Sequence, residues 1–137
     1  MGRGGDDTVY GGVGNDSLYG QSGNDNLYGG EGAYSRPGAA YRDVIYDFGG
    51  AGCSTRTDHI DLSTIDANTG VSGNHTFKFI GGSPFTAAGQ VRVEGSVESS
   101  GCDTLIQANV TGTSGAEMEI LAEGVLPTQW NDLDFIL

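Results

Sequence analysis

In the first 28 residues a large apolar side chain returns at every ninth position, at Val9, Leu18 and Leu27. Each is followed by a tyrosine, Tyr10, Tyr19 and Tyr28, and almost everything between is glycine or polar. Segments 2–10, 11–19 and 20–28 therefore fit one nonapeptide, G-x-x-G-x-D-x-U-x, with U a large apolar residue. The pattern predicts a six-residue glycine-rich turn, where positive φ comes cheaply, followed by a three-residue strand with its middle side chain inward. So short a strand buries too little to hold itself, so the repeats must stack. Two repeats per turn of a flattened coil would put the first and third copies side by side on one face.

A fourth copy starts at Gly29-Gly30-Glu31-Gly32, but Tyr34 replaces the aspartate and Arg36-Pro37-Gly38 breaks the beat. The rhythm resumes from Gly38, with Asp43 and Ile45 at the aspartate and apolar positions. Beyond it, alternation and β-branched enrichment predict strands at 44–48, 59–62, 76–80, 90–94, 104–110 and 117–122. Ser83-Pro84 and Pro127-Thr128 are the places where a short helical turn could open. Trp130, alone among polar neighbours, is expected to plug the end of a sandwich. The expected fold is all-β: a short parallel β-roll at 1–46, capped by a C-terminal β-sandwich at 47–137.

Charge turns this architecture into chemistry. Aspartate and glutamate number 18 against 6 lysines and arginines, for a net charge of −12. Such a chain repels nucleic acid and anionic membranes and needs cations to compact. No stretch approaches the roughly 18 apolar residues of a membrane span. Stacked turns bring carbonyls and aspartates together along each edge of the coil, where a hard cation with six to eight oxygen ligands relieves the repulsion. Asp7 and Asp25 should share one edge, with carbonyls of Gly2, Gly4, Gly5, Gly20, Ser22 and Gly23. Asp16 should serve the other with Gly11, Val13 and Gly14, completed by the turn of Gly29, Glu31 and Gly32. Because Tyr34 removes the next aspartate, Asp16 is expected to lack a carboxylate partner and the Asp7/Asp25 edge to bind more firmly. Magnesium suits such a site poorly, since it keeps its waters and demands octahedral geometry.

The nonapeptide resembles the calcium-binding repeat of RTX proteins. From Asp43 onward the chain also resembles the C-terminal domain of serralysin-type secreted metalloproteases, a module shared with exported lipases and polysaccharide-active enzymes. Asp43-Val44-Ile45-Tyr46-Asp47-Phe48 is similar to that family's D-x-I-x-D-F, and Asp58-His59-Ile60-Asp61-Leu62-Ser63 to its D-K-I-D-L-S. Phe77-Lys78-Phe79-Ile80-Gly81, Ala88-Gly89-Gln90-Val91-Arg92 and the ending Asp134-Phe135-Ile136-Leu137 follow in the family's order. The resemblance implies a calcium-binding β-roll under a sandwich, an uncleaved type I secretion signal at the C-terminus, and Asp43 and Asp58 as outlying ligands. It implies a secreted, extracellular protein. Two departures stand out. Segment 48–57 is longer than usual and carries Cys53, and at 109–117 two aspartates of a late family calcium loop are missing, leaving a plain β-turn.

Cys53 and Cys102, without a CxxC, read as a disulfide or as free thiols rather than a metal or catalytic pair. His59 and His75 lie far apart and neither HExxH nor GxSxG occurs, so no catalytic centre is expected. The leading reading is a non-catalytic module that binds about two to four Ca2+ and folds outside the cell. It would support type I export and stability of a covalently attached upstream enzyme domain, with calcium and the secretion machinery as partners. The alternative is a carbohydrate-binding accessory module, with the outward Tyr10, Tyr19 and Tyr28 stacking on a polysaccharide.

Overall fold

The computed structural model describes residues 4–12, 16–21, 23, 25–28, 42–46, 48, 58–96 and 102–137. Its strands are β1 (Thr8–Tyr10), β2 (Ser17–Tyr19), β3 (Asn26–Tyr28), β4 (Asp43–Tyr46), β5 (His59–Asp61), β6 (Lys78–Phe79), β7 (Gln90–Gly95), β8 (Thr104–Asn109), β9 (Met118–Ala122) and β10 (Phe135–Ile136). They form a four-stranded sheet, in the order β1-β3-β5-β10, and a six-stranded sheet, in the order β2-β4-β9-β8-β7-β6. The fold is all-β, as the sequence pattern implies.

The first five strands alternate between the sheets, which is the path of a flattened coil. Val9 stands beside Leu27 and Leu27 beside Ile60, all in parallel register. On the opposite layer Leu18 stands beside Ile45, and Ile45 beside Ala122. The coil thus continues past the three recognisable repeats, because Asp43-Val44-Ile45 and Asp58-His59-Ile60 reproduce the aspartate-any-apolar core of the nonapeptide. The sandwich grows by extending the same two sheets. Strands β5 and β10 finish the smaller one, while β9 joins β4 in parallel and then runs antiparallel to β8, and β8 to β7.

One continuous apolar core lies between the layers. It contains Leu27, Ile45, Ile60 and Ile106 with no exposure at all, and it takes in Phe48, Trp130 and Phe135 at one end. Each such side chain contributes roughly 1.5–3 kcal/mol by leaving water. Trp130 plugs the end, stacked on Phe48 at 4.8 Å and tilted against Phe135 at 5.5 Å. Across β4, β9, β8 and β7 a polar chain fixes register: Arg42 pairs with Glu119 at 2.9 Å, Gln107 donates to Glu119 at 3.0 Å, and Arg92 donates to Gln107 at 2.9 Å.

Two local expectations differ from the structure. No helical turn forms at Ser83-Pro84, where the Thr86 and Ala87 N–H groups donate to the Gln90 side chain instead. The 109–117 segment is not a plain β-turn but a long connection between β8 and β9. There the Asn109 amide donates to the carbonyls of Thr113 and Gly115, and Glu117 accepts from the Thr111 and Thr113 hydroxyls and the Val110 N–H. Of the two expected turns, Pro127–Gln129 is 3-10 helical, and a second turn of this kind spans Asp132–Asp134.

Leu27 sits at the centre of the coil with both of its strand neighbours apolar. Leu27→Ala should cost about 2–5 kcal/mol, read as the fall in denaturant midpoint at saturating calcium. A change below about 1 kcal/mol would show that the coil does not depend on this stack.

Candidate metal centre

The glycines of the turns are set by backbone conformation at some positions and by close contact at others. Gly5 and Gly23, at the fourth repeat position, have φ of 115° and 142°, and Gly12 and Gln21, at the second, have 98° and 73°. A Cβ on Gly23 would collide with the Gly5 carbonyl of the neighbouring coil, and one on Gly20 would lie 2.6 Å from Asp25 Oδ2. The first glycine of a repeat therefore makes room for the carboxylate five residues later.

Each aspartate at the sixth position precedes its strand and reaches along the stack. The Asp7 N–H donates to Asp25 Oδ1 at 2.8 Å, and the Asp25 N–H donates to Asp58 Oδ1 at 3.0 Å. On the other edge the Asp16 N–H donates to Asp43 Oδ1 at 2.9 Å. Backbone bonds run beside these, from the N–H of Asn26 to the Asp7 carbonyl at 2.9 Å, of His59 to Asp25 at 2.8 Å and of Val44 to Asp16 at 2.9 Å. The result is two rows of carboxylates at strand spacing, Asp7–Asp25–Asp58 and Asp16–Asp43.

The rows are dry. Asp25 and Asp43 are fully buried and Asp58 is 2% exposed. Oδ2 of Asp25 and Oδ2 of Asp16 are buried with no hydrogen-bond partner. Burial, helped by the charges of Asp58, Asp7 and Asp6, pushes the Asp25 carboxyl above the usual carboxylate range, against the lowering bond from the Asp7 N–H. A buried, half-satisfied carboxylate costs several kcal/mol unless a cation completes it. Among the described residues no three acidic, histidine or cysteine side chains converge on one point. An ion in these rows would therefore take its carboxylates from adjacent rungs and its remaining oxygens from turn carbonyls.

The structure brings together much of the expected set. Asp7 and Asp25 share an edge, and Asp16 lies on the opposite one. Asp16 does not lack a partner: Asp43, returning in the repeat register after Tyr34, supplies it. Asp43 and Asp58 fall in different sheets, each extending its own row. Gly4, Gly5, Gly11, Gly20 and Gly23 occupy the turns, while Gly2, Val13, Gly14, Ser22, Gly29, Glu31 and Gly32 lie outside the described residues, as does Cys53. Cys102 is an exposed free thiol.

Residues 1–34 match the family model for the RTX calcium-binding nonapeptide repeat, in 4 copies. The chain carries RTX repeats. RTX repeats bind calcium, and the buried carboxylate oxygens fit that ion. Among solved structures, the chain is similar to the AlgE6R3 subunit of the Azotobacter vinelandii mannuronan C5-epimerase, at 21% identity over 98% of this chain and 80% of that one, with a TM-score of 0.41. No curated protein matches the chain.

The repeat tyrosines also form rows. Tyr10 stacks on Tyr28 with centroids 4.6 Å apart, and Tyr19 on Tyr46 at 4.8 Å. The RTX register carries Tyr28 up to Asp61, whose carboxylate accepts its hydroxyl; that bond comes first among the causes that push the Tyr28 phenol up to about 12. Burial raises the Asp61 carboxyl, but bonds from the Ser63 hydroxyl, the Tyr28 phenol and the Ser63 N–H outweigh it and hold it low. The sequence reading missed Asp61, although it occupies the ninth repeat position after Asp58.

These shifts fix a pH dependence. The folded Tyr28 pKa lies above the unfolded value of 10.0, so its contribution is complete below pH 10 and is lost as pH rises towards about 12. Denaturant midpoints at saturating calcium should fall over that window, and Tyr28→Phe should flatten the fall. Superimposable profiles for the two proteins would rule out the Tyr28–Asp61 bond as its source.

Proposed function

We propose that this chain is a non-catalytic calcium-binding module of a secreted protein, folding on extracellular Ca2+ and supporting type I export and stability of an attached upstream enzyme domain. One observation carries the reading: Oδ2 of Asp25 and Oδ2 of Asp16 are buried without a partner, one in each carboxylate row. Asp7, Asp25 and Asp58 would hold ions on one edge and Asp16 and Asp43 on the other, with turn carbonyls completing each shell. The ion supplies charge neutralisation and a link between successive coils.

The physics of such a switch is simple. Extracellular modules bind calcium with Kd of about 10⁻⁴ to 10⁻³ M, far above cytosolic concentrations. Without the ion a net charge of −12 and rows of like charges at about 4.8 Å spacing oppose stacking. With it, each site adds about 1.4 kcal/mol at a free concentration ten times its Kd. The serralysin-like order of motifs after Asp43 supports the export role. The tyrosine rows support a folding role over a polysaccharide platform, since the rings turn their faces onto one another.

Calcium titration followed by circular dichroism should develop the β signal, and chelator should remove it; an unchanged spectrum sinks the proposal. Asp25→Asn gives a sharper test because its effect should reverse sign. In saturating calcium it should be destabilising and lower ion affinity by about tenfold or more. In chelator it should be neutral or stabilising, because burial in the metal-free fold penalises the charge of this carboxyl.

A further inference from the structure

The two carboxylate rows end in different places. The Asp16–Asp43 row leads into β4, whose far neighbour β9 lies inside the six-stranded sheet and is braced by antiparallel β8. The Asp7–Asp25–Asp58 row leads into β5, and β5 is the strand on which β10 docks. Phe135 pairs with Ile60 and Ile136 with Asp61, and the Leu62 N–H donates to the Ile136 carbonyl at 2.8 Å. On its other side β5 is tied to β3 by the His59 N–H bond to the Asp25 carbonyl at 2.8 Å and by the Asp58 carboxylate at 3.0 Å from the Asp25 N–H. Strand β5 therefore stands between the most buried carboxylate of the row and a two-residue edge strand. Beyond that pairing β10 is anchored by Phe135, against Phe79 at 5.1 Å and Trp130 at 5.5 Å.

We infer that β10 and the Asp7–Asp25–Asp58 row are energetically coupled, so that a cation in this row fixes β10 against β5, whereas the Asp16–Asp43 row leads into a strand that does not pair with β10 and reaches this end of the fold through Phe48, stacked on Trp130. The inference rests on the calcium reading above. Asp25 and Asp58 are both buried, so without a cation their repulsion is only weakly screened and acts directly on the β3–β5 pairing. Once its partner moves, this two-residue strand loses its backbone bonds and is left to the ring contacts of Phe135. Coupling of binding equilibria is reciprocal, so docking of β10 must in turn raise the affinity of that row for its cation. This module would then hold its last strand only while one particular edge is loaded.

The test uses the full chain and calcium alone. Calorimetric titration of the parent should show ion binding, and Trp130, the single tryptophan, should report the closure of its ring cluster. Deleting Ile136 and Leu137 should weaken a subset of the ions by about fivefold or more and leave the others unchanged. Phe135→Ala, which retains the backbone pairing, should do the same. In saturating calcium, Asp58→Asn should speed hydrogen exchange of the Leu62 amide, whereas Asp43→Asn should not. Unchanged affinities after the deletion, equal weakening of every ion, or equal exchange in the two aspartate variants would overturn the coupling while leaving calcium binding intact. A parent that gives no calcium signal overturns the calcium reading itself.

Discussion

The fold depends on one repeated contact, an aspartate carboxylate that accepts the backbone N–H of the aspartate one coil away. It uses a single oxygen. At Asp25 the other is buried without a hydrogen-bond partner, and in the second row Oδ2 of Asp16 is buried without one too. An all-protein solution would have placed a donor there. The repeat instead withholds one, since glycines line the turn and a Cβ on Gly20 would press on Asp25 Oδ2. At these two rungs the polypeptide leaves a carboxylate oxygen that a cation would complete. On the function proposed above, stability is then conditional on that cation, because a net stability of about 5–15 kcal/mol is small beside the cost of burying unpaired charge.

The same contact explains why the sandwich is continuous with the roll. A carboxylate row needs its next rung, and Asp43 and Asp58 supply it from strands outside the nonapeptide run. Once β4 and β5 are in register, their apolar residues Ile45 and Ile60 must face Leu18 and Leu27, because side chains alternate along a strand with period two. The hydrophobic core follows from the polar row, and the later strands extend sheets already begun.

Much of this was legible in the sequence because the nonapeptide writes turn, ligand and core residue in fixed phase. Val9, Leu18 and Leu27 identified the inward face, and Asp7 and Asp25 the shared edge. What could not be read was pairing across interruptions. Tyr34 suggested that Asp16 would stand alone, yet Tyr46 follows Tyr28 by 18 residues, two full periods, and β4 takes the next place in the coil. Periodicity along the chain does not reveal which period is skipped; only the core contact of Ile45 with Leu18 settles it. The 109–117 connection was opaque for a different reason. Its order comes from the Asn109 amide and the Glu117 carboxylate acting at a distance of several residues, which no local turn pattern encodes.

The two edges are unequal, but not for want of a carboxylate beside Asp16. Both rows are continuous, so neither is weak for want of a carboxylate. They differ in length and in the burial of their members. Asp25 is flanked by acidic rungs on both sides and is fully buried, whereas Asp16 ends its described row and is only half-buried. Repulsion in the metal-free state is therefore concentrated at Asp25. On the proposed calcium reading a cation would bring most relief there, because the interaction of charges scales inversely with the local dielectric. The strand that follows that row is the one that holds β10, so on the inference above this electrostatic demand falls where a two-residue edge strand depends on it.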